Sequence, residues 1–383
     1  MLTNSDVVEL TGFRRQLHKK PELSGEEVET AGLIVEKLRE LEPTEILTGL
    51  GGHGVAAVFD SGFDGPTVMF RAELDALPIQ ELTDIDWKSE REGKGHLCGH
   101  DGHMTMLLAL GRLIARRPTA SGKVVLMFQP AEEDGSGARA VVADPSFDRI
   151  SPDWAFAIHN EPGRSFGYVS TRVGLMNCAS TGLAIRLSGK TAHAASPEDG
   201  TSPATTVARL IPALGQLGIG GPLDDDFRLA TITHANVGEP TFGISPGEAV
   251  IFVTLRTTDD LKMAAMVGDA KKLATTHAKD AGLSVGFETC DDFAASINDA
   301  DATGVAVAAM NAIGIDNGDD GLPMRASEDF GVFGWNAKAA MLCLGPGEDH
   351  PALHNPDYDF PDDLIPIGAA IFDRIARDLL GTR

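Results

Sequence analysis

The sequence predicts an α/β protein in which a smaller domain is inserted into a larger domain that has a mostly parallel central sheet. Short, almost continuously apolar segments predict the large sheet, because strands buried on both faces need apolar side chains throughout. Segments with helical spacing separate these runs, as expected where strands and helices alternate. A change of pattern between residues 177 and 289 predicts the smaller domain.

Two helices are predicted before the first strand. Apolar residues recur at helical spacing from Val7 to Leu17 and again from Val28 to Leu38. Ser24 is followed three residues later by Glu27, which is the spacing of a capping box. We therefore expect these two side chains to cap the start of the second helix.

Four apolar runs predict the strands of the large sheet, and a helical segment over residues 103–115 separates the first two of them. Runs of this length and composition are typical of buried parallel strands. The runs are TVMFRAEL (67–74), KVVLMFQP (123–130), DWAFAIHN (153–160) and AAMLCLGPG (339–347).

The middle of the chain predicts a ferredoxin-like α/β sandwich. Residues 181–190 alternate between apolar and polar with period two, and the elements that follow complete the order β-α-β-β-α-β. Residues 1–176 and 290–383 would then form the large domain, with residues 177–289 inserted into it. Two consecutive domains divided near residue 177 are the alternative. The insertion is favoured because the last segment is short for a domain and has its own strand.

The composition excludes several classes of function. The 383 residues include 32 basic and 56 acidic side chains, which gives a net charge of −24, so nucleic acids and anionic membranes would be repelled. Neither an apolar signal segment nor a run long enough to cross a membrane is present, and we expect a cytoplasmic protein. Four cysteines are too few for a disulfide framework, and each is predicted to be a buried thiol.

Polar residues follow each predicted strand of the large sheet. Asp75 follows the first run and Glu132 and Glu133 follow the second, whereas His159 ends the third and His354 lies in the loop beyond the fourth. Ligands of open α/β sheets bind outside the carboxyl ends of the strands. We therefore expect these side chains to meet at one crevice.

The segment GHLCGHDGHM adds Cys98 and His100 to this group, flanked by His96 and His103. Cysteine, histidine and glutamate are ligands that suit zinc or another late first-row divalent ion, whereas calcium and magnesium prefer oxygen alone. Each residue alone has an ordinary explanation: a hydrogen-bonded histidine, a solvated loop carboxylate or a packed thiol. Their joint placement at strand ends favours a metal site.

These segments, in this order, resemble the aminoacylase-like family of co-catalytic metallopeptidases. Within that family the chain is most similar to the branch of N-acyl amino acid, hippurate and auxin-conjugate (indole-acetyl amino acid) amidohydrolases. The resemblance runs almost from end to end. It rests on FRRQLHKKPELSGEEVET (13–30), FRAELDALPIQE (70–81), GHLCGHDGHM (95–104), FQPAEED (128–134), AIHN (157–160), GKTAHAASP (189–197), SEDF (327–330) and LHNPDYDF (353–360).

The resemblance implies hydrolysis of the amide bond of a small N-acylated amino acid by a metal-activated water. It implies two divalent ions per subunit, of zinc, manganese, cobalt or nickel, and the ligands Cys98, His100, Glu133, His159 and His354. Cys98 aligns with a bridging aspartate of other branches, so its thiolate is expected to bridge or nearly bridge the ions.

Three further roles are implied by the same resemblance. Glu132 would be the general base, because Glu133 is expected to be engaged as a ligand. Asp75 would orient a ligand beside the ions. His193 would donate to the oxyanion, commonly from the other subunit of a dimer, so residues 177–289 would be a lid or dimerisation domain and the chain a homodimer or a higher homo-oligomer.

The chain departs from the branch at two places. Glu73 stands where an aspartate is usual, and Gly243-Ile244-Ser245-Pro246 replaces an Asn-Val-Ile-Pro string, which removes an amide that could contact the substrate. Arg256 is a candidate carboxylate anchor, although a solvent-facing strand arginine is an equally good interpretation. A dipeptidase or carbamoylase and a catalytically silent metal-binding protein are the alternative functions. Glu132 beside a full ligand set argues against the silent protein.

Overall fold

The structure is a computed structural model that describes all residues from Met1 to Arg383. Its contacts divide the chain into two units, each formed by more than one segment. The first unit consists of Met1–Met176, Ser296–Leu322 and Asp329–Arg383, and the second of Asn177–Ala295 and Pro323–Glu328. The functions that the sequence assigns to its two domains, catalysis and a lid or dimerisation role, stay predictions.

The helices and strands are numbered here in chain order. The helices are α1 Asn4–His18, α2 Val28–Arg39, α3 His100–Arg116, α4 Gly137–Ala143, α5 Ala204–Gly215, α6 Asp260–Asp280, α7 Ala300–Ile313 and α8 Leu364–Leu380. The strands are β1 Glu45–Leu50, β2 Gly54–Asp60, β3 Thr67–Glu73, β4 Lys123–Gln129, β5 Trp154–Asn160, β6 Val169–Ser170, β7 Gly174–Asn177, β8 Ala179–Ser188, β9 Ala192–His193, β10 Arg228–Val237, β11 Ile244–Ser245, β12 Glu248–Thr257, β13 Ser284–Phe293, β14 Ser296–Asn298, β15 Asn317–Gly318 and β16 Lys338–Leu344.

An eight-stranded sheet forms the centre of the first unit, in the order β1-β2-β4-β3-β5-β16-β6-β15. The four predicted apolar runs are its adjacent strands β4, β3, β5 and β16, and all three pairings among them are parallel. Each of these strands is buried from its second residue onward because helices cover the sheet. The predicted α/β class with a mostly parallel central sheet is thereby confirmed.

The long helix α3 brings the GHLCGHDGHM segment to this sheet. It packs against α1 and α8 and is buried over most of its length. The helix begins at His100, three residues before the predicted start, and follows Gly99 in the left-handed conformation at φ 93°. A side chain at Gly99 would overlap the side-chain oxygen of Asn160 on β5. Glycine therefore lets the segment approach the sheet closely.

The predicted capping box at the start of the second helix is wrong. Helix α2 begins at Val28, and its N-cap Glu27 makes no capping hydrogen bond. The hydroxyl of Ser24 instead donates to Asp75 Oδ2 at 2.7 Å, and Glu27 Oε1 accepts from the N–H of Ala131 at 2.8 Å. Neither side chain caps the helix, because each one hydrogen-bonds with a partner distant in the sequence.

A four-stranded antiparallel sheet, in the order β10-β12-β8-β13, forms the centre of the second unit. With α5 and α6, which pack against it, the chain follows the order β-α-β-β-α-β. Strand β13 extends to Phe293, beyond the predicted end at Cys290, with an irregular register between these residues. Cys290 is exposed on this edge strand, so its prediction as a buried thiol is wrong. The other three cysteines are buried.

None of the helices combines the length and the apolar character that a membrane span requires.

Two helical glycines give a prediction about packing. A Cβ on Gly102 of α3 would overlap the ring of Phe360, with Cδ2 at 2.5 Å, whereas a Cβ on the exposed Gly12 of α1 would meet nothing. We expect Gly102→Ala to lower the free energy of unfolding by about 1–3 kcal/mol through overpacking. Gly12→Ala should raise it by about 0.5–1 kcal/mol through helix propensity. Urea unfolding of both variants measures these changes in the free energy of unfolding. Equal changes in the two variants would contradict the packing argument.

Candidate metal centre

The candidate site lies in the first unit, where the parallel strands end. Asp75 follows β3 after one residue, and the Glu132-Glu133 pair lies in the turn between β4 and α4. His159 lies on β5, one residue before the strand ends, and His354 lies in the loop between β16 and α8. The structure brings these side chains together with Cys98 and His100, as their positions predicted.

Overlapping groups of potential ligand atoms connect all five predicted ligands. Within each group, the ligand atoms lie within 4.8 Å of one another. The groups are Cys98, His100 and His159; Cys98, Glu133 and His354; and His100, Glu132 and Glu133.

His100 shows best how a cation would fit. Its Nδ1 lies 2.9 Å from the carbonyl oxygen of Asp75, whereas its buried Nε2 has no hydrogen-bond partner. Nε2 is 3.8 Å from Glu133 Oε1 and 3.9 Å from Glu132 Oε2, distances too long for hydrogen bonds. Burial alone would lower the pKa of His100, but Asp75, Glu73 and Glu133 raise it to about 10. The surroundings of this ring therefore favour positive charge.

Cys98 and His159 face each other across the same space. The sulfur of Cys98 is 3.4 Å from Nε2 of His159, and Nδ1 of that ring lies 2.6 Å from the carbonyl oxygen of Asn160. If Nδ1 carries the proton and donates it there, Nε2 keeps its lone pair for a ligand. Burial, with Glu133 and Glu132 nearby, raises the pKa of Cys98 well above its usual value. A thiolate at this position needs a cation beside it.

His354 closes the group on its solvent side. Its ring Nε2 is 3.6 Å from Glu133 Oε2, and half of its side chain is exposed. The residue has φ 65°, and its N–H donates to the carbonyl of Leu97 at 2.8 Å. This bond ties the loop to the segment just before Cys98, so the backbone fixes where the exposed ring lies.

Asp75 connects the segments that carry the other side chains. Its Oδ2 atom accepts hydrogen bonds from Ser24 Oγ at 2.7 Å and from the N–H of Glu133 at 2.9 Å. Its Oδ1 atom lies 3.5 Å from His100 Nδ1. Burial raises the pKa of Asp75, but His100, the Glu133 N–H and Ser24 lower it below its usual value. Asp75 is therefore placed to orient both Glu133 and His100.

A buried polar network beside His159 was not predicted from the sequence. Glu73 pairs with Arg71 and lies 2.7 Å from His103 Nδ1, while His103 Nε2 lies 2.6 Å from Asn160 Oδ1. Burial raises the pKa of Glu73, but Arg71 and His103 hold it well below its usual range. The longer Glu73 side chain thus supports His103. The sequence signal for this network was a pair of charged residues, Arg71 and Glu73, within the apolar strand β3.

A second missed group supports the start of α3. His18 Nδ1 lies 2.8 Å from Asp101 Oδ2, and Arg14 donates to the same oxygen at 3.3 Å. Burial would lower the pKa of His18, but Asp101 raises it to about 9. His96, which flanks the predicted ligands, is buried with neither ring nitrogen hydrogen-bonded, and burial lowers its pKa to about 4. His96 thus remains neutral beside the charged group.

His193 and Arg256 belong to the second unit. His193 lies on β9, which pairs with β11 in the GISP segment, and its exposed ring accepts a 3.0 Å hydrogen bond at Nδ1 from the N–H of Ala195. Arg256 on β12 donates from Nη1 to the carbonyl of Arg325 at 2.8 Å and to Ser327 Oγ at 2.7 Å. It is therefore tied to the 323–328 segment, which the solvent-facing interpretation did not anticipate.

Comparisons with known proteins agree with this arrangement. Residues 69–378 match the family described as Peptidase family M20/M25/M40. The chain is 31% identical to a hippurate hydrolase of Campylobacter jejuni, over 97% of both chains. It is 36% identical to an N-acetyl-L-cysteine deacetylase of Bacillus subtilis, over 66% of this chain and 60% of that protein.

One solved structure combines the fold with a metal centre. The YXEP protein of Bacillus subtilis, described as a dinuclear metal binding peptidase, has a TM-score of 0.82 and 25% identity to this chain. The similarity covers 99% of both chains.

Proposed function

The chain belongs to peptidase family M20/M25/M40, and on that premise we propose that it hydrolyses the amide bond of small N-acylated amino acids. The observation that carries the proposal is the buried cluster at the strand ends, where adjacent Glu132 and Glu133 face His100 Nε2 at 3.9 and 3.8 Å. The two relatives named above, by their descriptions, act on an N-benzoyl and an N-acetyl amino acid. That shared substrate chemistry supports the assignment.

We propose that two divalent ions, of zinc, manganese, cobalt or nickel, are held in the cluster. The orphaned Nε2 of His100 and the mixed sulfur, nitrogen and carboxylate donors fit such ions. Bound ions would polarise the scissile carbonyl and lower the pKa of water. The proposed ligands are Cys98, His100, Glu133, His159 and His354.

Glu132 is proposed as the general base. It takes a proton from the attacking water and delivers it to the amide nitrogen as the C–N bond breaks, which gives a carboxylate and a free amine. The residue is only 5% exposed, so bulk water competes little for the proton. Asp75 accepts a hydrogen bond from the Glu133 N–H, and its backbone carbonyl lies 2.9 Å from His100 Nδ1, so it is proposed to keep the neighbouring ligands in place.

His193 is proposed to donate to the oxyanion from the partner subunit of a homodimer. Its ring is exposed, and Nδ1 accepts from the Ala195 N–H, which leaves Nε2 as the donor. Strands β10 and β13 are the edges of the sheet in the second unit, and such edges can pair with another subunit. We also propose a cytoplasmic location, because four free cysteines agree with a reducing compartment.

The first test is release of free amine from N-acetyl, N-benzoyl and indole-acetyl amino acids. We expect metal-depleted protein to be inactive and protein reloaded with zinc, manganese, cobalt or nickel to release amine from at least one substrate. If protein shown to hold two ions released no amine from any of these substrates, the result would contradict the proposal. Activity on dipeptides or N-carbamoyl amino acids would then identify a dipeptidase or carbamoylase. Absence of activity on these substrates as well would identify a non-catalytic protein.

A matched pair of variants controls this assay. Glu132→Gln should keep the metal content and lower kcat by about 10²–10⁴-fold, the usual contribution of a general base. Glu133→Gln, the same change one residue later, should lower the metal content itself. Unchanged turnover in Glu132→Gln would remove Glu132 from the mechanism.

Metal content tests the ligand assignment without any substrate. We expect His159→Ala to lower the number of ions per subunit, because the variant loses a buried donor 3.4 Å from the Cys98 sulfur. Elemental analysis after dialysis measures the change. His53→Ala, which removes a histidine of the same unit outside the cluster, is the control and should keep both ions. Full occupancy in His159→Ala would rule out the ligand role.

Subunit mixing tests the role of His193. His193→Ala and Glu132→Gln homodimers should each be nearly inactive, but a mixed dimer holds one site with both residues intact if His193 acts across the interface. We therefore expect activity to return on mixing, up to about one quarter of the wild-type value for random exchange of subunits. Absence of recovery, with exchange proven by mass spectrometry, would show that His193 acts within its own chain or not at all.

A further inference from the structure

A buried carboxylate outside the ligand cluster contacts the turn that carries Glu132. Glu27 is fully buried, and its Oε1 atom accepts a 2.8 Å hydrogen bond from the N–H of Ala131. Its Oε2 atom is buried without a hydrogen-bond partner. The proposed reaction makes no use of this side chain, and it does not cap its own helix. Burial of a carboxyl group is costly, so its contact with Ala131 calls for a physical explanation.

Ala131 has an unusual backbone conformation. Its φ is 51°, in the left-handed region that residues with a Cβ seldom adopt. Such a residue keeps this conformation only where its surroundings determine it. The carbonyl of Ala131 accepts from the N–H of Gly137 at 2.9 Å, and its N–H donates to Glu27. Glu27 therefore supplies one of the two hydrogen bonds that hold this residue.

The next two residues have a separate anchor. The N–H of Glu133 donates to Asp75 at 2.9 Å, and the carbonyl of Glu132 accepts from the N–H of Gly135 at 2.8 Å. The turn is thus held by carboxylates on both sides of Glu132. Asp75 bonds to the N–H of the proposed ligand Glu133, which follows Glu132. Glu27 bonds to the N–H of Ala131, which precedes Glu132.

We propose that Glu27 is a positioning residue that holds Ala131 in the left-handed conformation and thereby sets the direction of the Glu132 carboxylate. The inference rests on the proposed function, because it takes Glu132 as the general base. Without an acceptor, the buried N–H of Ala131 would be left unsatisfied, and residue 131 would gain by rotating toward the conformations that alanine prefers. Rotation at this point changes where the chain enters Glu132, while Asp75 still holds Glu133.

The support for Glu27 is itself built into the first unit. Glu22 Oε2 accepts from the N–H and the hydroxyl of Thr30 at 2.8 and 2.9 Å, which closes the loop that contains Glu27. The carbonyl of Glu22 also accepts from the N–H of Ala76, beside Asp75, at 2.8 Å. Burial raises the pKa of Glu27, so the uncharged glutamine side chain is a close substitute that keeps the acceptor oxygen.

The test compares Glu27→Met with Glu27→Gln. Methionine fills a similar volume without a strong acceptor, whereas glutamine retains the oxygen that faces Ala131. For Glu27→Met we expect kcat to fall about tenfold or more, with KM changed less than about twofold and two ions still bound; a tenfold loss corresponds to about 1.4 kcal/mol. Glu27→Gln should stay within about threefold of the wild type, since it keeps the bond at near-neutral cost. Equal losses in both variants would overturn the proposal.

A change at residue 131 separates positioning from a general structural effect. Glycine adopts the left-handed conformation without strain, so Ala131→Gly added to Glu27→Met should recover part of the lost turnover. Ala131→Gly alone should have little effect. If Glu27 only stabilised α2, glycine at residue 131 would restore nothing, and that result would contradict the inference.

Hydrogen exchange gives a readout that does not depend on catalysis. Amide exchange in the peptide that spans residues 129–137 should be faster in Glu27→Met than in the wild type, and unchanged in Glu27→Gln. Glu27→Ala is the second variant if Glu27→Met fails to fold by circular dichroism. Unchanged exchange in the folded variant would overturn the anchor even in an active enzyme. An inactive wild type with the expected exchange would refute the proposed function and leave the anchor standing.

Discussion

Buried carboxylates at the end of the parallel sheet impose the main physical constraint on this protein. Like charges brought together out of water repel one another unless positive charge or hydrogen-bond donors lie between them. Each carboxylate is compensated in its own way: Glu73 by Arg71 and His103, Asp101 by His18 and Arg14, and Asp75 by Ser24 and a backbone N–H. At Glu132 and Glu133 the compensation comes from His100 and, in the proposed enzyme, from the metal ions.

The sequence predicts the sheet and the grouping of the site because both depend on short-range patterns. Apolar runs indicate strands buried on both faces, and parallel strands end at one edge, so residues at or just after the ends of β3, β4 and β5 had to lie near one another. The spacing could not reveal which buried side chains pair. Arg71 and Glu73 could have been found as charges inside an apolar strand, although their partner His103 is thirty residues away.

The errors have the same origin. Ser24 and Glu27 have the local spacing of a cap, but Asp75 and Ala131, distant in the sequence, are their actual partners. The left-handed conformation of Ala131 has no sequence signal, because alanine seldom adopts it. Cys290 is exposed since it lies on the edge strand β13, and the position of a strand within its sheet follows from pairing over long distances. Local pattern thus predicts elements, and tertiary partners determine the fine geometry of the site.

The burial of Cys98 has a consequence for how its sulfur reacts with oxidants. Peroxides attack thiolates far more readily than thiols, and oxidation beyond the sulfenic acid is irreversible for most proteins. In the absence of metal, burial and the neighbouring carboxylates keep the Cys98 sulfur protonated. The same surroundings that would require a cation to form the thiolate therefore also disfavour oxidation of the Cys98 sulfur when no cation lies beside it.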